Sequence, residues 1–216
     1  NAKIVTWGRP NQILEGYAVQ ILGQRITKID SQTKLIQDFP EEEQLNANGQ
    51  FLMPGLICAH THFYGAFSRG MAIHGSAPAD FPEILQKLWW PMDQSLGMED
   101  IKYSTLVCLV DSIKHGNTTL FDHHASPNAI EGSLDVIADA VMESGLRAVI
   151  CYEVTDRGGE AKATSGIKEN ARMIKKTATD KYEGRIRGNF GIHAGLTVSE
   201  KTLEECRNAV PKNVGF

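Results

Sequence analysis

The stretch Phe51-Leu52-Met53-Pro54-Gly55-Leu56-Ile57-Cys58-Ala59-His60-Thr61-His62 decides how the rest of the chain is read. Its apolar run ends in two histidines separated by one residue. On a strand, residues i and i+2 project to the same face, so His60 and His62 point together and Thr61 points the other way. Two imidazoles on a rigid strand suit Zn²⁺ or Fe²⁺. Two ligands hold a metal weakly, so at least one or two more are required. Two such histidines could also simply pack, and the flanking sequence has to separate these readings.

Upstream of Pro54 the chain reads as strands and turns. Residues 2–6 are a short apolar run, and residues 17–22 and 25–29 flank Gly23-Gln24, a hairpin turn. Residues 35–49, with Pro40 and Glu41-Glu42-Glu43, read as solvated loop, and residues 49–53 as one more strand. Downstream, strands and helices alternate, as in a parallel α/β sheet or barrel. A buried strand is expected over 56–61, then a long connection over 63–97 holding Trp89 and Trp90. Helical periodicity covers 98–115 and stops at Gly116. Strand 118–123, helix 134–144 closed by Gly145, strand 147–154, helix 167–176 and strand 186–193 follow. Ser199 can N-cap a helix running to about Val210, and Val214-Gly215-Phe216 opens another strand. The spacing, about 40 residues per unit, lies somewhat above the roughly 30 of an eight-unit barrel of about 250 residues.

Composition narrows the function. The chain has 216 residues, 42% of them apolar, enough to build a core rather than a disordered chain. The net charge of −4, without a basic stripe, argues against nucleic acid as a partner. No apolar run reaches the roughly 18–20 residues of a membrane helix, and no signal peptide precedes the first strand. The chain opens at Asn1 directly into a strand, which suggests trimming. Cys58, Cys108, Cys151 and Cys206 form no C-x-x-C pair, so reduced thiols in a cytoplasmic protein are expected.

The stretch from Pro54 to His62 resembles the P-G-[LIF]-[IV]-x-x-H-x-H signature of the amidohydrolase superfamily, where it joins a small β-sandwich domain to a metallo-dependent hydrolase barrel. Within it the chain is similar to the branch of s-triazine chlorohydrolases, guanine deaminase and adenosine-derivative deaminases. Phe67-Ser68-Arg69-Gly70, Leu88-Trp89-Trp90-Pro91-Met92-Asp93 and Asp122-His123-His124-Ala125-Ser126-Pro127, continued by Gly132-Ser133-Leu134, resemble the SsnA-type aminohydrolases. The resemblance implies an α/β fold: the N-terminal half of a TIM-like (β/α)8 barrel over residues 55–216, truncated at the start of its fifth strand, preceded at 1–54 by part of a composite β-sandwich domain. It implies one divalent metal, zinc first and iron as the alternative, because the fourth strand lacks the lysine that dinuclear relatives carboxylate.

Further candidates surround the pair. His193, in Gly191-Ile192-His193-Ala194-Gly195-Leu196-Thr197-Val198-Ser199, resembles the fourth-strand segment whose histidine reaches toward substrate, although Gly195 stands where a proline is usual. Such a histidine is also read as a satisfied structural residue. Asp93 stands where many purine deaminases carry a glutamate that binds ring nitrogens; its shorter side chain argues against a purine, and a helix-start carboxylate is the competing reading. His123 and His124 cannot both face a pocket on one strand, and parity with Asp122 favours His124. Glu153, Asp156 and Arg157 can line the mouth, or simply be solvated. Trp89 and Trp90 can wall it, or pack in the core. His74 falls in a loop, and the helix dipole accounts for His115.

The family places its remaining ligands later: a histidine and a proton-transferring glutamate with the fifth strand, a histidine on the sixth and an aspartate on the eighth. The expected whole is therefore an enzyme of about 420–450 residues, a homodimer at full length, in which the C-terminal half of the barrel comes from the same gene product. The expected reaction is hydrolysis of a non-peptide carbon–nitrogen bond in a small, nitrogen-rich or heterocyclic substrate by metal-activated water, with ammonia leaving. Chlorohydrolase or cyclic-amide hydrolase chemistry, or a catalytically incomplete metal-binding fragment, are the alternatives. The chain alone, with its open strand edges, is expected to be inactive and poorly stable.

Overall fold

The computed structural model of the chain describes every residue except His74 and the side chain of Asp180. The expected loop position of His74 thus lies outside the described residues. The chain divides into two compact units, Asn1–Gly55 and Leu56–Phe216.

In the first unit, strand β1 (Lys3–Val5) pairs antiparallel with β2 (Ile13–Leu14) and parallel with β5 (Phe51–Leu52). Strands β3 (Tyr17–Leu22) and β4 (Arg25–Ser31) form the hairpin expected at Gly23-Gln24, with Gly23 at φ 61°. Two elements were not expected. One is β2. The other is helix α1 (Gln32–Asp38), which takes the start of the segment read as loop. The Ser31 hydroxyl accepts from Lys34 N–H at 3.4 Å, Lys34 pairs with Asp30 at 2.7 Å, and Leu35 is buried. One cap and one buried leucine suffice for two turns in a polar segment.

In the second unit, β6 (Leu56–Thr61), β7 (Asn117–His124) and β8 (Arg147–Val154) are parallel, and β9 (Ile186–Gly188) and β10 (Gly191–Ile192) both pair with β8. The order β6-β7-β8-β10 never reverses. A doubly wound sheet reverses at its switch point, whereas a barrel adds each strand beside the last. Helices α4 (Met98–Lys114), α5 (Ser133–Ser144), α6 (Glu160–Thr177) and α7 (Glu200–Ala209) connect or follow these strands. Gly116 and Gly145, at φ 76° and 77°, end α4 and α5 in the left-handed conformation that glycine tolerates best. Leu120, Ile150 and Ile186 on the strands pack with Ile101 and Leu109 of α4, Leu134, Ile137 and Val141 of α5, and Met173 of α6. A smaller cluster joins Val154, Ala163, Ile174, Phe190 and Cys206. Among the described residues no helix is long and apolar enough to cross a membrane.

Several expectations are corrected. The connection over 63–97 is largely helical: a 3₁₀ segment (Phe63–Ser68), α2 (Phe81–Ile84), a π turn (Leu85–Trp89) and α3 (Trp90–Ser95). Pro82 stands in the first turn of α2, where the missing N–H costs nothing, and Pro91 follows directly on the π turn within one continuous helical run over residues 81–95. Helix α6 starts at Glu160, ahead of the expected 167. Strand β6 is not buried: Ile57 is 64% exposed, because β6 is an outer strand paired here with β7 alone. Val214-Gly215-Phe216 forms no strand; Gly215 only accepts one bond from Phe190 N–H at 3.4 Å.

The expected strand over 186–193 is broken at Asn189-Phe190. The side chain of Asn170 on α6 enters the ladder there. Its Oδ1 accepts from Tyr152 N–H at 2.7 Å, and its Nδ2 donates to Tyr152 O at 2.7 Å and to Gly191 O at 3.3 Å. The amide of one side chain thus satisfies buried backbone groups that a continuous strand would have paired. Gly191 is required beside it, since a Cβ would lie 2.5 Å from Tyr152 O.

Candidate metal centre

Ladder register assigns each site residue to a face. Thr61 lies opposite Asp122, His123 opposite Cys151, and Gly191 opposite Glu153. Partners across a ladder share a face. Leu120, Asp122 and His124 are buried toward the helices. His123 and Glu153 therefore point to the opposite, barrel-interior face, and His60 and His62, on either side of Thr61, join them. The register of β6 shifts between Cys58 and Thr61. This irregularity lets Cys58 pack against the core while His60, two residues on, turns to the interior.

The two imidazoles converge, with His60 Nε2 and His62 Nε2 3.2 Å apart. Two nitrogens bound about 2.0–2.1 Å from one tetrahedral ion lie roughly 3.3 Å apart, so the spacing fits a shared metal. His62 Nδ1 lies 2.8 Å from the backbone oxygen of His123. A carbonyl only accepts, so Nδ1 carries the proton and Nε2 keeps its lone pair free for a metal. Burial, reinforced by neighbouring His60, lowers the pKa of His62 despite the opposing bond to His123, which keeps the ring neutral. Among the described residues no group of three or more His, Cys, Asp or Glu side chains is placed to hold a metal.

Around the pair, the His123 ring stacks on His60 with centroids 4.3 Å apart and planes 27° apart. Burial, then His60 and His62, push its pKa down to about 4. Glu153 is 6% exposed, its Oε2 is 3.8 Å from His62 Nδ1, and that oxygen has no hydrogen-bond partner. Burial, then the charge of Asp122, raise its pKa well above the usual range. His193 follows β10, and its Nδ1 lies 2.9 Å from the Thr197 hydroxyl. Burial, then Arg157 and His62, lower its pKa to about 4.

Two candidates are engaged elsewhere. Asp93 is buried, and its Oδ2 accepts from Arg157 Nη2 at 2.6 Å, while the Arg157 guanidinium lies over the Trp90 ring at 5.0 Å. The position read as a ring-nitrogen binder is therefore one half of an internal ion pair. Its other oxygen, Oδ1, is buried without a partner. His124 is 1% exposed on the helix face, bonded to Ser126 Oγ at 2.9 Å and set edge-on between Tyr64 and Tyr152. The preference for His124 over His123 is corrected: Asp122 itself faces the helices, accepting from Phe63 N–H at 2.7 Å, so parity with it leads away from the interior. The alternation Leu120, Asp122, His124, begun by an apolar residue, was the available signal for His123. Arg157's pairing with Asp93 and the Asn170 insertion leave no comparable mark in the sequence.

The chain matches the amidohydrolase family over residues 51–214. It is 31% identical to a 5'-deoxyadenosine deaminase of Methanobrevibacter smithii over 191 residues, 87% of this chain and 41% of that protein. Its fold is similar to the crystal structure of guanine deaminase from C. acetobutylicum with bound guanine: TM-score 0.75 at 14% identity, over 92% of this chain and 46% of that one. It is also similar to a variant of atrazine chlorohydrolase from Arthrobacter aurescens complexed with zinc and atraton: TM-score 0.68 at 18% identity, over 94% and 47%. The chain thus spans less than half the length of the proteins it matches.

Proposed function

The chain belongs to the amidohydrolase family, and on that premise we propose that it supplies the first two metal ligands of a zinc-dependent hydrolase that deaminates a small, nitrogen-rich heterocycle. The observation that carries this reading is the 3.2 Å approach of His60 Nε2 and His62 Nε2 at the end of a strand. When bound, a divalent ion supplies Lewis acidity to a hydrolytic water. The chain's own part is to orient. His62, its Nδ1 proton fixed on the His123 carbonyl, presents one nitrogen to the metal, and His60 presents the other. Glu153 directs an unpartnered buried carboxyl oxygen beside them, suited to an N–H of the substrate. His193, steadied by Thr197, reaches toward the same substrate. Asp93, buried and tied to Arg157, holds that guanidinium in place rather than reading ring nitrogens.

In this reading residues 1–54 are part of a composite β-sandwich domain and residues 55–216 the first half of the barrel. A further half from the same gene product completes the site, in keeping with relatives about twice as long. The missing ligands and the proton-transferring carboxylate come from that half, so residues 1–216 alone turn over no substrate. Four free cysteines fit the reducing cytoplasm.

The test is ammonia release by the full-length protein, zinc-loaded, on a panel of 5'-deoxyadenosine, guanine and amino-s-triazines. Release from at least one is expected. Chloride release from a chlorotriazine in place of ammonia would replace deamination by dechlorination. Zinc content after His60→Ala with His62→Ala checks the metal, and full occupancy in that variant would refute the site.

A further inference from the structure

We infer that His123 is the positioning residue of the metal centre, orienting both ligating rings: His62 through its backbone carbonyl and His60 through the face of its imidazole. This inference rests on the metal reading above. The carbonyl bond to His62 Nδ1 is 2.8 Å long. The stack on His60 has a centroid separation of 4.3 Å, whereas the His123 ring is 5.9 Å from that of His62 and tilted by 53°.

His60 needs such support more than His62 does. It is an exposed side chain on an outer strand, and its ring has no backbone partner of the kind that holds His62 among the described residues. Left alone, its imidazole samples several rotamers, and ordering it on metal binding costs entropy. A flat neighbour parallel to it removes much of that freedom beforehand. The His123 ring is itself held: the Cys151 sulfur, directly across the ladder and buried, lies 3.5 Å from its Nδ1. Face-to-face stacking also sets His123 apart from a third ligand. The planes are 27° apart, and among the described residues no third His, Cys, Asp or Glu side chain joins the pair in a metal-holding group.

The experiment uses the full-length protein. Zinc affinity is measured by chelator competition, and the absorption bands of the cobalt(II)-substituted protein report ligand geometry. His123→Ala is expected to weaken zinc binding roughly 10–100-fold, as loss of an outer-shell partner does, and to alter the cobalt bands. His123→Phe keeps a flat face without nitrogens and is expected to restore affinity to within about threefold and to return the wild-type bands. Melting of the zinc-free proteins separates a folding defect from a metal defect, and the Phe variant covers the case in which Ala does not fold. Wild-type zinc affinity and cobalt bands in His123→Ala would overturn the inference while leaving the metal reading intact. So would a Phe variant as weak as Ala, which would assign the effect to a ring nitrogen. Undiminished zinc binding in His60→Ala overturns both, since no ligand would remain for His123 to position.

Discussion

His123 and His124 are adjacent, carry the same side chain and lie on one strand, yet they belong to different chemistries. His123 faces the barrel interior, touches both candidate ligands and keeps part of its surface open. His124 faces the helices, is 1% exposed and serves as a core residue with one hydroxyl partner. Burial pushes its pKa down to about 3, so it packs as a neutral ring. Strand parity separates the two faces of the sheet into a side that carries the candidate ligands, the proposed reactive face, and a supporting side. Residue type alone does not say which side a histidine serves.

Substitutions on the two faces should therefore fail differently. The largest effect is expected at His62. A structural zinc site is worth about 10–16 kcal/mol over four ligands, so losing one costs roughly 3 kcal/mol, or at least a hundredfold in zinc affinity. Chelator competition on full-length His62→Ala should show this, with zinc-free stability nearly unchanged. His124→Ala should do the reverse. Emptying a fully buried aromatic-sized site should cost about 2–4 kcal/mol in denaturant unfolding, while zinc affinity stays within about twofold. Equal zinc loss in both variants would break the comparison.

A pH-dependent effect concerns Asp122 on the supporting face. Burial raises its carboxyl to about 8, against 3.8 for the free group, and the bond from Phe63 N–H only partly offsets this. A carboxyl raised in the folded state gives stability that is fully present below the free value and is lost as pH rises through the folded one. Stability should therefore fall between about pH 4 and 8, by at most about 1.4 kcal/mol per unit. Asp122→Asn, which keeps the acceptor for Phe63, should flatten that slope in unfolding titrations. The smallest effect on the fold is expected at Glu153, on the reactive face. Glu153→Gln should leave unfolding free energy at pH 7 within about 1 kcal/mol, since it removes a carboxyl whose charge burial disfavours, yet lower kcat/KM in the ammonia-release assay. A variant that kept full activity would remove Glu153 from the substrate's surroundings.

Much of this architecture was legible from patterning. Strand β8 runs over the expected residues, the helix ends at Gly116 and Gly145 follow from glycine's tolerance of positive φ, and Ser199 caps α7 by accepting from Thr202 N–H at 3.3 Å. The histidine pair was legible because its spacing matches strand periodicity. What stayed hidden depends on contacts distant in sequence. The long connection over 63–97 gave no sign of the continuous helical run over residues 81–95, which carries Pro82 in its first turn and Pro91 just after a π turn. The exposure of β6 reflects which strands flank it, not its own apolar run. The Asp93–Arg157 pair joins residues 64 positions apart, and no local pattern announces it. The choice between His123 and His124 turned on which way Asp122 faces, and that was decided by a backbone N–H at Phe63.

The Asn170 side chain bears on how the domain moves. Because its amide bridges Tyr152 of β8 and Gly191 of β10, parting the two strands there also breaks a bond to α6. Amide hydrogens of Tyr152, of α6 and of β10 should then exchange with solvent in one cooperative opening, while those along the free edge of β6 exchange at their own faster pace. The segment that ends in His193 is thereby coupled in its fluctuations to a helix on the outside of the barrel, and the segment that ends in His62 is not.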